Sequence, residues 1–407
     1  MSDEVTEWLA GRAIPLDPGA EPVGLGPLRV VLDGVKVVGL GEATHGSAEF
    51  FELRWRVTEF LIRELGFTTL AVEASAAAAR AVDAYVRDGA GDPAEALAGL
   101  GFWTLDTAEM LAVVERLRDH NRTADRPVRF AGIDPQNPAA ALQALRACLG
   151  EAAALVDPLD RLTRWRWEPL DEQLETDARR LEEHVAAHGP EEAREPARIV
   201  RQFAELSTRP FRHADPARTL GVARDRHMAD NVHRLAAEPG ARVAVWAHNG
   251  HVMKGSHSGG TVPAMGRHLA REHGAAYYAL AGLFGQGRFR ARTSWFGRPV
   301  RRGRPKTFRV PLADAPRVVE ARLAAAHHGD YVVDLRHGDR PDPVRSWLAA
   351  TNHLRGFGAA EGRLTAAFAF MPAVLAEEFD GLAFVERSTC STPLRPRARH
   401  QAAGSVT

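Results

Sequence analysis

Glu42 and His45 stand three positions apart between two glycines, in Gly41-Glu42-Ala43-Thr44-His45-Gly46. Imidazole takes and returns a proton near neutral pH, and a neighbouring carboxylate can fix which ring nitrogen carries it. The two residues thus have the composition of an acid–base couple. A purely local account also fits them: Thr44 or Ser47 would cap the following helix, and Glu42 would be a solvated turn residue.

The same kind of residue recurs where other apolar runs end. Thr68-Thr69-Leu70-Ala71-Val72-Glu73 ends on an acid. Val128 to Asp134 ends on another, with Gln136 just beyond. Val243-Ala244-Val245-Trp246-Ala247 opens into His248-Asn249-Gly250-His251, and Gly381 to Glu386 ends on a further acid. These runs read as buried strands. If they lie parallel, their ionisable ends meet at the carboxyl edge of one sheet, where open α/β sheets bind ligands. A set of that kind predicts an active site with coupled protonation. The competing account is that each acid merely favours the start of the helix after it.

What could such a set do? The hydrolase elbow Gly-x-Ser-x-Gly is absent, and the nearest stretch, Gly255-Ser256-His257-Ser258-Gly259, has histidine at its centre. Neither Cys148 nor Cys390 follows a strand-end histidine, so a thiol nucleophile has little support. Water activated by a carboxylate-oriented histidine remains. His248 and His251 have the spacing of a metal pair, but a site normally needs a third ligand such as Glu42, Glu73 or His45. No cofactor is expected, with a divalent metal as the alternative. Arg54, on the helix after His45, could hold a carboxylate or stabilise an oxyanion. Arg224 with Asp225 reads as a helical charge pair or as a wall of the site.

These residues need elements to hold them. The alternation of strands and helices predicts an α/β fold, a mostly parallel core sheet with flanking helices. Residues 1–150 read as the first part of the core. Residues 151–236 are helical and charged without a clear strand, and read as a helical insertion carrying Trp165 and Trp167. Residues 237–284 return to the core, with a strand at 276–281. Residues 285–360, opening with an Arg/Gly-rich stretch of short β-like pieces to about Arg309, read as a smaller α+β unit. Residues 361–395 rejoin the core, and 396–407 read as a disordered tail.

Lys plus Arg and Asp plus Glu number 52 each in 407 residues, with 45% hydrophobic and 26% charged residues. Zero net charge argues against a general nucleic-acid or anionic-membrane binder. No run is long enough to span a membrane, and Met1-Ser2-Asp3-Glu4 is not the start of a signal peptide. Two isolated cysteines fit a reduced, cytoplasmic setting.

Together, several motifs resemble the erythromycin esterase family. They are Gly41 to Gly46, Glu49-Phe50-Phe51-Glu52-Leu53, Glu64-Leu65-Gly66-Phe67, Val72-Glu73-Ala74 and Gly132-Ile133-Asp134-Pro135-Gln136. Arg224-Asp225-Arg226-His227-Met228-Ala229-Asp230-Asn231 and Trp246-Ala247-His248-Asn249-Gly250-His251-Val252 follow in the family's order. The resemblance implies hydrolysis of an ester or macrolactone, with His45 as general base on water. It implies support from Glu42, Glu73 and Arg54, and a late histidine at His248 or His251. Asp134, Gln136, Arg224 and Glu386 are the expected substrate-binding residues. The expected partner is a small molecule: a macrolide, or, given the basic 285–309 stretch, an anionic or peptide-like compound. The expected roles are antibiotic resistance or natural-product biosynthesis. The rival readings are a tailoring enzyme running elimination, cyclisation or acyl transfer on the same His/Glu set, and a metal- or ligand-binding protein without catalysis.

Overall fold

Short runs of β-branched and aromatic residues build the central sheet, and their burial on both sides explains why they lack polar alternation. In chain order the strands that matter are β1 (Val37–Leu40), β2 (Thr69–Ser75), β3 (Arg129–Asp134) and β4 (Val243–Trp246). They are followed by β5 (Tyr277–Trp295), β6 (Tyr331–Asp334) and β7 (Gly381–Ser388). The spatial order is β3-β2-β4-β1-β5-β7-β6. Every pair from β3 through to β7 is parallel, and β6 closes that side antiparallel to β7, with Tyr331 opposite Phe384. This computed structural model describes residues 3–16, 25–165, 168–257, 260–295, 298–299, 304–363 and 365–394. The expected tail and Trp167 lie outside them.

Successive residues of a strand face opposite sides of the sheet. Val38 and Leu40 accordingly join one apolar cluster, with Phe60 and Leu61 of helix α1 (Ala48–Leu65), while Val37 joins the cluster on the other face. Helix α1 stops at Gly66, whose φ of 67° is the left-handed conformation that glycine adopts without strain. A third apolar cluster is largely helical. It joins Leu181 and Val185 of α2 (Gln173–His188) to Ile199 and Val200 of α3 (Glu191–Thr208). Trp165 packs edge-on against Phe203 there, with ring centroids 5.5 Å apart. Helix α4 (Leu220–Ala236) lies between this cluster and the sheet, with Ala223 in the former and Met228 and Val232 in the latter.

The sheet differs from expectation in one place. The strand expected at 276–281 runs without a break to Trp295, as a 19-residue strand, so the division at 284/285 falls inside β5. The reason is visible in the alternation. Phe289 and Ala291 are buried while Arg288 and Arg292 are exposed, a period-two pattern that keeps the chain extended. Lys306–Val310 pairs antiparallel with this outer half, and Phe308 stacks on Phe289 at 5.5 Å. Most of the arginines of this arm thus face outward, and Arg290 is committed to Ser391 O at 3.0 Å and to the ring of Trp103. Cys148 and Cys390 are both free. Among the described residues no helix is long and apolar enough to cross a membrane.

Candidate active site

The turn after β1 is clamped from several sides. Asn249 N donates to Glu42 O at 2.9 Å, Phe357 N to Ala43 O at 2.8 Å, Ser391 N to Gly46 O at 2.9 Å and Arg290 N to the same oxygen at 3.1 Å. The two glycines permit this closeness. A Cβ on Gly41 would sit 2.1 Å from Asn249 Oδ1, and one on Gly46 would sit 1.9 Å from Arg290 O. Asn249 also exchanges two bonds with the backbone of Gly282, at 2.8 and 2.9 Å, and so ties β4 to β5 across β1.

Held in this turn, His45 Nδ1 lies 2.9 Å from Glu42 Oε1. The carboxylate can only accept, so Nδ1 carries the proton and Nε2 is the basic nitrogen of the neutral ring. Glu42 Oε2 pairs with Arg54 Nη2 at 2.8 Å. Arg54 is buried, donates from Nε to Phe50 O at 3.1 Å and lies over the ring of Trp246 at 4.6 Å. Burial works against charge on His45, but the Glu42 carboxylate outweighs it and holds the imidazole above its ordinary 6.5.

His248 is close but differently employed. Its ring centroid is 5.2 Å from that of His45. Its Nδ1 accepts Gly250 N–H at 3.1 Å, which leaves the proton on Nε2, and Nε2 donates to Phe357 O at 3.1 Å. Burial first, and then His45, push it down to about 3. It is a neutral strut with both nitrogens occupied.

His251 is the opposite case. Its Nδ1 is 2.9 Å from Asp225 Oδ1 and its Nε2 is 3.3 Å from Glu73 Oε1. Burial would lower its affinity for a proton, but Asp225 and then Glu73 push it up to about 10, and Arg224 Nη1 lies 3.2 Å from the same Nε2. Glu73 Oε1 also accepts from Arg224 Nη2 at 2.8 Å, and its Oε2 accepts His248 N–H at 3.0 Å. Although burial opposes it, His251 and then Arg224 hold the Glu73 carboxyl well below its usual range. Arg224 Nη2 also reaches Asp134 Oδ2 at 2.6 Å, and Asp134 Oδ1 accepts Gln136 N–H at 3.0 Å.

Most of the expected residues therefore meet at the carboxyl ends of β1 to β4. Glu386 does not. It is exposed on β7, which runs on beyond the crevice, and its carboxylate accepts Gly329 N–H at 2.7 Å at the start of the neighbouring strand. Gln136 takes part through its backbone amide. Cys390 Sγ faces Thr307 Oγ1 at 3.6 Å.

Asp225, His257 and Phe357 carried little signal in the sequence. Asp225 read as half of a helical charge pair or as part of a wall of the site; it is buried and holds His251, His257 (3.1 Å) and Met265 N–H (2.9 Å) at once. Its carboxyl is held far below the usual range, against the effect of burial, by His251 and then His257. Phe357 contributes backbone only. Asp225, His251 and His257 are also a group whose ligand atoms lie close enough for a metal ion, all within 4.8 Å of one another. One carboxylate and two imidazoles suit a divalent transition metal. His251 Nδ1, although 2.9 Å from Asp225 Oδ1, is buried without a hydrogen bond of good geometry.

The sequence model of the erythromycin esterase family matches residues 62–388. The chain belongs to the erythromycin esterase family. The matched span contains Glu73, Asp134, Arg224, His248 and His251, while the Glu42–His45–Arg54 group lies just ahead of it. Erythromycin esterase type II of Escherichia coli is 33% identical over 135 residues, 32% of each chain, and the putative hydrolase YbfO of Bacillus subtilis is 40% identical over 67 residues, 16% of this chain and 15% of that protein. The alignments thus span a third or less of these curated relatives. A Bacillus cereus protein of known crystal structure superposes with a TM-score of 0.81 at 24% identity, covering 96% of this chain and 99% of that one. A succinoglycan biosynthesis protein also reaches 0.81, at 21% identity over 96% and 98% of the two chains. A mutant of the erythromycin esterase EreC in its open conformation reaches 0.67, at 18% identity over 95% and 97%. The mixed α/β fold with its mostly parallel sheet is common to them. Membership of the family supports an esterase-type hydrolase.

Proposed function

We propose that this protein hydrolyses an ester or lactone by activating water with His45. The observation that carries the reading is the state of that ring. Its Nδ1 is fixed by Glu42 at 2.9 Å, which leaves Nε2 as the basic nitrogen of the neutral ring. A water at Nε2 would lose its proton as its oxygen attacks the carbonyl carbon. The resulting imidazolium is stabilised by Glu42, which Arg54 in turn holds in place. The tetrahedral oxyanion would form beside a wall of fixed positive charge, the Arg224 guanidinium and the His251 imidazolium. Such preorganised charge is worth most in a site with little water. Collapse returns the proton from His45 to the departing alkoxide. Glu73 and Asp134 hold Arg224, and His248 props the Phe357 segment against the His45 turn.

The substrate follows from family membership only as a class. A macrolactone of the erythromycin type is the first compound to test. The outward direction of Arg288 and Arg292, and the commitment of Arg290, weaken the case for an anionic or peptide-like substrate. Purified protein is incubated with erythromycin, with and without a chelator, and followed by mass spectrometry. A product heavier by one water, lost in His45→Ala and insensitive to chelator, is the expected outcome. Loss of activity with chelator would instead assign Asp225, His251 and His257 to a metal. A product that has not gained a water would favour elimination, cyclisation or acyl transfer over hydrolysis.

A further inference from the structure

A second polar cavity lies on the other side of β3, away from the crevice. It encloses about 230 Å³ between the edge of the sheet and helices α3 and α4, and Arg80, Arg129, Arg198 and Arg234 line it. Its acids do not balance these cations in place. Glu238 is taken by Arg129 at 2.9 Å, and Asp83 accepts Phe130 N–H at 2.9 Å. Only Glu195 remains, 3.6 Å from Arg198.

Arg198 is the informative residue. Its side chain is 16% exposed, yet its Nε is buried with no hydrogen-bond acceptor. Leaving a charged donor unpaired in a buried place is costly. Burial, and then the like charge of Arg234, oppose its ionisation. Arg80 and Arg234 form no ion pair among the described residues.

The floor of the cavity adds a donor. Among the described residues β3 is the edge of the sheet and pairs only with β2. Arg129 N–H points inward to Thr68 O at 2.9 Å, while Phe130 N–H points outward to Asp83. Donors alternate along a strand, so the next outward amide is that of Gly132, which lines the cavity. At Phe130 an oxyanion of the protein already takes such an amide. Gly132 lines the cavity together with the guanidinium groups.

We infer that this cavity is a binding site for a compact tetrahedral oxyanion of the phosphate class. Planar guanidinium groups and a backbone amide are the groups that recognise phosphate oxygens. The volume falls below the range of about 300–1,000 Å³ typical of drug-sized ligands, which favours a small anion. The site is independent of ester hydrolysis. It does share elements with the crevice: α4 carries Arg224 at one end and Arg234 at the other, and β3 ends at Asp134.

The test is a phosphate titration of the full-length protein at constant ionic strength, balanced with potassium chloride. Heat of binding and thermal midpoint are read together, with glucose 6-phosphate as a parallel arm. Saturable binding of inorganic phosphate is expected, weakened at least about fivefold in Arg234→Gln and lost in Arg198→Gln. Arg234 is exposed, so its variant keeps the test open even if Arg198→Gln folds poorly. Response to glucose 6-phosphate as well would identify the phosphate end of a metabolite as the ligand, and its absence would identify the free ion. No saturable response beyond that of chloride, or an equal response in the Arg234 variant, would overturn the inference.

Discussion

The rings of His45 and His248 lie 5.2 Å apart but are held differently, His45 Nδ1 by the Glu42 carboxylate at 2.9 Å. Both nitrogens of His248 are bonded to backbone groups, at 3.1 Å each. The two histidines should therefore respond differently to substitution. His45→Ala is expected to lower kcat by at least about 10²-fold with an unchanged melting temperature, the usual weight of a general base. His248→Gln, which can keep one of the backbone bonds, should retain at least about a tenth of the activity. Equal losses in the two variants, with both folded, would place His248 in the proton transfer.

The protonation states set a pH profile. His45 works only when neutral, and its pKa is raised above 6.5, so kcat/KM should rise with pH through a midpoint above 6.5. His251 must stay charged to act as the positive wall, so activity should fall again as pH passes about 10. Glu42→Gln removes the carboxylate that raises His45 and leaves burial to dominate. Its acidic limb should move to lower pH, with a lower maximum rate. An unmoved limb in that variant would assign the titration to another group.

Much of this site was legible because buried strands that end in acids and imidazoles are hard to explain singly. Glu42, His45, Glu73, Asp134, His248 and His251 follow apolar runs, and period-two reading places those runs in one sheet. Glu386 misled because its strand continues past the common edge, and strand length beyond the core depends on pairing with a partner that the local sequence does not reveal. Asp225 stayed between a helical charge pair and a wall of the site because adjacent Arg and Asp on a helix look alike whether they face solvent or a histidine. The long β5 was obscured by arginines and glycines, residues that on average mark loops. Its extended form depends on the distant Lys306–Val310 strand, which supplies the partner for Phe289. Local pattern shows what can be buried, and only tertiary pairing decides it.

Gly46 offers a test of the turn itself. A Cβ there would lie 1.9 Å from Arg290 O, against backbone that cannot rotate away. Gly46→Ala should push β5 from the His45 turn and weaken the bonds to Gly46 O. A cost of about 1–3 kcal/mol in chemical denaturation is expected, typical of overpacking. A drop in kcat should accompany it, because His45 shares the displaced turn. Wild-type stability and rate together would mean that the turn and the arm are not held this closely.

The His251–Asp225 contact should also appear in the pH dependence of stability. The folded pKa of His251, about 10, lies above its unfolded value near 6.5. A raised histidine contributes stability that is fully present below the unfolded value and is lost as pH climbs through the folded one. Unfolding free energy should therefore decline between about pH 6.5 and pH 10. Asp225→Asn removes the largest source of that rise, so its decline over the same window should be shallower, and it should start from lower stability at pH 6.5. Urea melts of both proteins across the window measure the two slopes. Parallel slopes would show that His251 does not take its charge from Asp225, and would remove the imidazolium from the wall of the crevice.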